Sequence, residues 1–173
     1  MGEDSSRRQD LVLGRDAFMA SVETVLDPAY RLATVILLDY GAAEDAVADA
    51  TMRAWRRYQR LGGDVTSFRT WFLAIVAERC RRIRRWRLLT LRRRGDDFSP
   101  AGGLRDVLGG MPLASRASLF CFVSLDLPMD EVARILGMSP SRVRTRVYRA
   151  SEQAQDEVRR EEDEVGRDQD AQP

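Results

Sequence analysis

The segment Ile135–Ser151, ILGMSPSRVRTRVYRAS, combines a glycine, a short polar turn and a run of arginines. Arg142, Arg144, Arg146 and Arg149 lie among apolar and hydroxyl residues within about two helical turns. Guanidinium groups bind phosphate oxygens and guanine edges bidentately, so this residue type at this density is suited to DNA. A solvated surface helix of a helical bundle would carry the same charges, and the neighbouring positions must decide between the two.

The residues around the turn have the spacing of a helix-turn-helix. Ala133 is small enough to let two helices cross closely, Gly137 can adopt the positive φ of a tight turn, and Val143 can fill the gap between the helices. Ser139 can cap the second helix, and Pro140 fits its first turn. The agreement of these positions favours a DNA-reading helix over a plain surface helix.

At 100° per residue, the second helix has an inward face of Val143, Val147 and Ala150. The outward residues at the start of a recognition helix reach base edges, and flanking arginines meet phosphates. The residues that we expect to contact DNA from this helix are Ser139, Ser141, Arg142, Arg144, Thr145, Arg146 and Arg149.

A second arginine-rich stretch lies upstream, where residues 65–95 contain ten arginines and a single acid, Glu78. Apolar residues at a spacing of three to four predict a helix from about Ser67. Its arginines suit DNA phosphates, although a membrane-surface helix or an RNA-binding arm would look similar. Trp71 has the spacing of a core residue, whereas Trp86 lies beyond the apolar stripe and is the better candidate for base stacking.

The rest of the chain also predicts helices, and the expected fold class is all-α. Phe18, Val22, Val25 and Leu26 form a first apolar stripe; Pro28 can begin a second helix that Gly41 can end; a third helix covers about 43–61. Two small helical domains joined by a flexible linker are expected. The predicted boundaries are a disordered N-terminus (1–14), a first domain (15–94), a linker (95–103), a second domain (104–158) and an acidic disordered tail (159–173).

Composition narrows the function classes. The chain has no histidine, no metal-ligand cluster and no glycine-rich phosphate loop, so neither an enzyme nor a cofactor is expected. Cys80 and Cys121 each lie in an apolar run, which favours buried thiols over a disulfide or metal pair. Neither a signal peptide nor a membrane span is apparent, and we expect a cytoplasmic protein. Every basic residue of the chain is an arginine, and no lysine is present. Arginine suits DNA binding, but the codon bias of a GC-rich genome explains the absence of lysine equally well.

The stretch MDEVARILGMSPSRVRTRVYRA, with the upstream MPLASRA, resembles region 4 of bacterial sigma factors of the extracytoplasmic-function group, within the sigma-70 family of RNA polymerase sigma factors. That family usually reads E-I-A-x-x-L-G followed by S-x-x-T-V-K-S-R-x-x-R-A. In the first half, AEDAVADATMRAWRRY and WFLAIVAERCRRIRR resemble the family's region 2. The resemblance covers roughly residues 15–157, in the expected order.

The resemblance implies a sigma factor that binds core RNA polymerase, through the β′ clamp and the β flap, and directs it to promoter DNA. Region 4 would read the −35 element and region 2 would open and hold the −10 element. The implied polymerase-binding residues are Glu44, Asp45, Asp49 and Arg53. The implied −10 residues are Trp71, Glu78, Arg79, Arg82, Arg85 and Trp86. An anti-sigma factor is a common partner in this family, and the sequence leaves its presence here open.

The chain departs from the family pattern at several positions. Ala48 replaces a glutamine of the polymerase-facing stretch; Ala77, Glu78 and Arg82 replace an arginine, an asparagine and an aspartate of the −10 segment. In region 4, Arg142 replaces a threonine, and Pro128 replaces a serine or threonine cap, which leaves Asp126 or Leu127 to begin that helix. The region 2 departures keep a second interpretation open, in which a sigma-like DNA-binding regulator does not itself support promoter melting.

Overall fold

The computed structural model describes residues 14–62, 65, 67–91 and 110–170. These residues divide into two compact units, one built mainly from the helices before residue 92 and the other mainly from the helices after residue 109. All regular structure in the described ranges is helical, as the sequence predicts. The predicted linker, 95–103, and all but one residue of the predicted disordered N-terminus lie outside these ranges.

The first unit contains four helices: α1 (14–23), α2 (Leu26–Leu37), α3 (Tyr40–Arg60) and α4 (Phe68–Leu91). Helix α2 packs against both α3 and α4, and α3 also packs against α4. Leu32, Ile36 and Phe72 are fully buried among them, and the small residues Ala43, Ala46 and Ala50 let α3 approach its neighbours closely. The four helices thus share one apolar core, and their polar outer faces carry the charged residues.

The positions where α2 begins and ends differ from those that the sequence predicts. Leu26 was predicted to face the core with α1 but begins α2 and is 44% exposed. Gly41 does not end α2: that role falls to Leu38, whose φ of 55° is left-handed and whose N–H donates to the Thr34 carbonyl over 2.7 Å. Asp39 then caps α3 by accepting from the Ala42 N–H at 2.9 Å, so Gly41 lies inside the first turn of α3.

An aromatic cluster joins α1, α3 and α4. The Phe18 ring lies 5.2 Å from both Trp55 and Tyr58, and 5.7 Å from Phe68, measured between ring centroids. At the start of α4, the Ser67 carbonyl accepts from the Trp71 N–H at 3.0 Å. Aromatic pairs at these separations add stability beyond the burial of their area. The cluster fixes how α3 and α4 lie against each other.

The helices after residue 109 are α5 (Leu113–Leu119), which continues into a single π-helical turn (Phe120–Ser124), then α6 (Met129–Leu136) and α7 (Pro140–Asp170). Helix α5 packs against α7. Cys121, Val132 and Val143 are fully buried in this small core. The expected helix from about Pro112 is therefore present, with a change of hydrogen-bonding pattern in its last turn.

Pro128 itself stands before α6, where Asp126 or Leu127 was expected. The Pro128 carbonyl accepts from the N–H groups of Glu131 and Val132 at 2.9 and 3.0 Å. A cap carbonyl does not need a side-chain oxygen, and proline's missing N–H costs nothing at a helix start. Asp126 instead adopts a left-handed φ of 49° in the preceding turn.

Helix α7 continues through Asp170, whereas the sequence pattern predicts a disordered tail from residue 159. The extension of an existing helix avoids the cost of nucleation, and the residues concerned are mostly Glu, Gln, Arg and other types compatible with a helix. Residues 159–170 lack a repeating apolar pattern, which indicates only that this part of α7 offers few apolar side chains for packing. Residues 171–173 lie outside the described ranges.

In the described part of the chain, no helix is both long and apolar enough to cross a membrane. The same residues contain no group of three or more His, Cys, Asp or Glu side chains arranged to hold a metal ion.

Candidate nucleic-acid interface

The turn between α6 and α7 has the geometry that the sequence predicts for a helix-turn-helix. Gly137 has a positive φ of 61°, and the Met138 N–H donates to the Ala133 carbonyl over 2.9 Å. Ala133 is buried. A residue with a Cβ would be strained at this φ, so the glycine is required by the turn itself.

Helix α7 turns its apolar face inward, as the predicted helical angles require. Val143, Val147 and Ala150 are all at most 6% exposed. The predicted DNA-contacting residues of this helix are all exposed except Arg146, which is half-buried. The helix therefore presents a polar, arginine-rich face, held in place by its buried side.

The first turn of α7 orders its own hydroxyl groups. The Thr145 hydroxyl donates to the Ser141 carbonyl at 3.1 Å, and the hydroxyls of Ser139 and Ser141 lie 3.2 Å apart. The Val143 N–H donates to the Ser139 carbonyl, which confirms Ser139 as the residue preceding the helix. Because Thr145 has used its proton internally, it is left mainly as an acceptor, whereas Arg142 retains only donors.

Four of the predicted −10 residues surround one cavity of about 580 Å³ at the surface of α4. Arg79, Arg82, Arg85 and Trp86 all line it, and the Trp86 side chain is 67% exposed. Asp45 of α3 lines the same cavity. Cationic groups and an exposed indole in one depression can bind phosphate and stack on a base.

Trp71 does not belong to that cavity. Its ring lies 5.6 Å from Phe68, which links it to the aromatic cluster, and it is only partly exposed. This position matches the core spacing noted in the sequence. Glu78 is exposed and lines a second depression of α4, next to Arg79 and Arg82, while Ala77 is fully buried.

The predicted polymerase-binding residues on α3 fall into two groups. Glu44 and Asp45 are exposed near the start of the helix. Asp49 lies between two arginines: Arg53 Nε donates to Asp49 Oδ2 at 2.8 Å, and Arg79 Nε lies 2.5 Å from the same oxygen in ion-pair contact. The second contact lacks the alignment of a hydrogen bond. Asp49 thus joins α3 to α4.

A second ion pair joins the same two helices near the end of α4. The Arg87 guanidinium lies 3.0 Å from Asp39 Oδ2, and the other carboxylate oxygen of Asp39 caps α3. One carboxylate therefore serves both helices. Asp39 and Arg87 were not among the predicted site residues, because the pairing spans 48 residues and leaves no local pattern.

Sequence reasoning also missed Arg56, Arg57 and Arg60 of α3, which line the second depression together with Arg53. The signal was present in the sequence: Arg53, Arg56, Arg57 and Arg60 recur at the i, i+3, i+4, i+7 spacing of a single helical face.

Both cysteines are buried thiols, as predicted. Burial raises the pKa of the Cys80 thiol from its ordinary value of 9.0 to about 12, and the nearby charges of Arg79 and Arg81 only partly oppose this rise. A thiol of this kind is protonated and unreactive at neutral pH. Cys80 is part of the core beneath the basic face of α4.

Residues 22–89 match the family model of sigma-70 region 2. Among solved structures, the chain is similar to the sigma factor RpoE of Bartonella quintana, determined in a co-crystal with the anti-sigma factor NepR. The identity is 20%, the match covers 83% of this chain and 97% of that one, and the TM-score is 0.69. At this identity, the likeness shows a common fold. A comparison with curated proteins gives no match.

The matched region contains α2, α3 and nearly all of α4, which carry the basic cavity and the Asp49 ion pairs. The shared fold extends over most of the chain. The comparisons thus show a segment similar to sigma-70 region 2 over residues 22–89 and, over most of the chain, a fold shared with a solved sigma factor.

Proposed function

We propose that this protein binds core RNA polymerase, directs it to promoters and initiates transcription there, acting in the cytoplasm without catalysis of its own. It reads the −35 element with the helix-turn-helix of α6 and α7, and the −10 element with α4. One observation carries the proposal: a sigma-70 region 2 match lies in the same chain as a helix-turn-helix whose outward face is rich in arginine.

The −35 step uses the first two turns of α7. Arg142 is exposed on the outward face, and its guanidinium can donate two hydrogen bonds to the O6 and N7 atoms of a guanine. Arg149 lies farther along the helix and meets phosphate, which fixes the register of the helix in the major groove. Buried Val143 and Val147 support this face from below.

The −10 step uses the cavity around Trp86. Its exposed indole offers a surface on which an unstacked base can lie, while Arg82 and Arg85 neutralise neighbouring phosphates. Glu78 stands where the family usually has asparagine. A carboxylate there accepts from the exocyclic amino group of cytosine, so this protein's −10 preference should include a cytosine at the position that Glu78 reads.

Polymerase binding uses the exposed acids Glu44 and Asp45, together with Asp49 and Arg53 farther along α3. These groups present a charged helical face to the β′ clamp, and the second domain binds the β flap. An anti-sigma factor is a further partner in this proposal. Its support is the fold shared with RpoE, whose structure contains NepR.

The second candidate is a sigma-like regulator that binds DNA but does not melt promoters. The specific observation behind it is Glu78, an exposed carboxylate among arginines on the face assigned to DNA. Its charge repels phosphate and would weaken the grip on an opened strand.

Run-off transcription with purified core polymerase on a library of promoter sequences separates the two candidates. A sigma factor yields transcripts of defined start from a subset that shares −35 and −10 sequences. Binding of the same promoters without any transcript, in the presence of core polymerase, would establish the regulator and overturn the sigma factor.

A further inference from the structure

The second depression, which is lined by residues of both α3 and α4, is a basic groove with a volume of about 330 Å³. Six arginines line it: four from α3 and two, Arg79 and Arg82, from α4. Ile75 and Glu78 complete the lining. The volume is at the small end of the range for ligand pockets, roughly 300–1,000 Å³.

The sequence builds this groove from two matching helical stripes. On α3 the lining residues follow the spacing i, i+3, i+4, i+7 from Arg53, and on α4 they follow the same spacing from Ile75. Residues at this spacing form one face of a helix. Two such faces opposite each other form one groove, which is basic on the α3 side and carries two arginines beside Ile75 and Glu78 on the α4 side.

The charges in the groove are only partly compensated. Asp49 serves Arg53 and Arg79. The exposed Glu78 carboxylate in the lining offsets one further positive charge and leaves an excess of arginine. Within the described residues, Arg56, Arg57 and Arg60 are exposed and form no ion pair. Like charges three or four residues apart on a helix destabilise it, so an anion that binds these arginines would relieve an unfavourable repulsion.

The chemistry of the lining points to the ligand. Ile75 is the one apolar side chain in the lining, and no aromatic ring is present there, so the groove offers no stacking surface for a base. Guanidinium groups bind phosphate oxygens in pairs, with charge-assisted hydrogen bonds about twice as strong as neutral ones. A ligand with several adjacent phosphates would satisfy more than one of these arginines at once.

We propose that the groove between α3 and α4 binds a run of phosphate groups, through Arg56, Arg57 and Arg60 together with Arg82. The three α3 arginines go beyond the proposed function, since none of them belongs to the predicted polymerase or DNA sites. Arg82 is shared with the predicted −10 site, so the test below substitutes only α3 residues of the groove. The phosphates come either from a nucleic-acid backbone or from a separate polyphosphate anion. The shared chemistry is testable with one probe, inorganic tripolyphosphate.

The test measures tripolyphosphate binding to the full chain by calorimetry at low salt. The double variant Arg56→Gln/Arg60→Gln should lose about tenfold or more in affinity, because each charged hydrogen-bonding group contributes substantially. The matched control, Arg15→Gln/Arg31→Gln, removes the same charge from exposed positions on α1 and α2 and should change the affinity less than twofold. Equal losses in both variants, or no binding to the wild type, would overturn the proposal.

Thermal unfolding gives a second readout that charge loss elsewhere does not reproduce. Tripolyphosphate should raise the melting temperature of the wild type and of the control, and leave that of the groove variant nearly unchanged, since a ligand stabilises only the state that binds it. In the absence of ligand, the groove variant should melt no lower than the wild type, because it loses like-charge repulsion. A wild-type melting temperature that does not respond to tripolyphosphate contradicts the proposal.

A competition arm identifies the source of the phosphates. If tripolyphosphate displaces labelled single-stranded DNA from the wild type but not from the groove variant, the groove holds a nucleic-acid backbone. If the wild type binds both at once, the groove serves a separate polyphosphate anion. Both results support the phosphate chemistry. Displacement of DNA to the same extent in both proteins would show that tripolyphosphate binds elsewhere, and would refute it.

Discussion

Asp49 of α3 and Arg79 of α4 form an ion pair in which Oδ2 and Nε lie 2.5 Å apart. The sequence assigns these two residues to different tasks, Asp49 to the polymerase and Arg79 to the −10 element. In the folded protein they are one unit, partly shielded from solvent, and Arg53 shares the same oxygen. Substitution of Asp49 therefore changes both surfaces at once.

A double-mutant cycle measures this coupling. Asp49→Asn and Arg79→Gln should each reduce the free energy of unfolding, and the coupling energy between them should be about 0.5–1 kcal/mol, the range for a partly exposed pair. Urea unfolding of the four proteins gives the value. Strictly additive effects would mean that the ion pair contributes nothing to stability.

The polymerase face is best tested away from that ion pair. Reversal of the exposed acids, Glu44→Arg/Asp45→Arg, should abolish co-purification with core polymerase while the helical content stays unchanged, because complementary charges across an interface become repulsive. Asp16→Arg/Glu23→Arg, on the exposed face of α1, is the charge-matched control. Full polymerase affinity in the first variant would exclude this face.

Base reading by α7 predicts two kinds of DNA-binding defect. Arg142→Ala should cost about 1–3 kcal/mol on the preferred −35 sequence and relax the choice at one base pair, because a bidentate base contact is lost. Arg149→Ala should weaken binding evenly across sequences and reduce the salt dependence. A panel of base-substituted −35 elements measures both. A uniform loss for Arg142→Ala would remove it from the base-reading residues.

The Cys80 thiol predicts a pH effect on stability. Its raised pKa in the folded state means that the unfolded state ionises first as the pH rises above about 9. The contribution of the protonated thiol is complete below that pH and is lost on the way to the folded-state pKa. The difference in unfolding free energy between the wild type and Cys80→Ala should therefore be constant below about pH 9 and shrink as the pH rises from about 9 toward 12. A constant difference would contradict the burial of an ionisable thiol.

The same thiol should resist modification. At about pH 8, a disulfide reagent should label Cys80 only after the protein is unfolded, since the thiolate is the reactive form and is disfavoured in the core. Rapid labelling of the native protein at Cys80 would show that this part of α4 opens readily.

The helical extension of α7 bears on the acidic residues beyond position 157. A flexible acidic tail could fold back and compete with DNA, but about 30 Å of helix separates the backbone of Glu162 from that of Arg142. Screening at physiological salt acts over about 8 Å. Truncation after Glu157 should therefore change DNA affinity by less than about twofold. Tighter binding at low salt that fades at high salt would instead show autoinhibition.

Much of the second domain's candidate site follows from local sequence. The turn glycine, the residue before α7 and the buried stripe of Val143, Val147 and Ala150 all have the predicted positions. These features depend on φ at one residue and on helical periodicity, both of which are properties of a short segment. The outward face follows directly from the inward one.

The positions where helices begin and end depend less on the local sequence. Leu38 ends α2 in a left-handed conformation although Gly41 is nearby, because Asp39 begins α3 with its side chain and fixes where the chain must turn. Pro128 precedes α6 through its carbonyl, which no side-chain preference reveals. The continuation of α7 depends on an already formed helix, and a composition-based expectation of disorder omits that contribution.

The sequence by itself determined the helical class of this protein, the helix-turn-helix and the concentration of arginine on α4, since periodicity and charge density are properties of the linear sequence. Only the tertiary structure decided which charges meet. Asp49 reaches Arg79 and Asp39 reaches Arg87 across helices distant in sequence, and the arginines of α3 become a groove only opposite those of α4. The physical reason is that helix packing sets the distances between side chains, and electrostatic interactions depend on those distances and not on the order of residues.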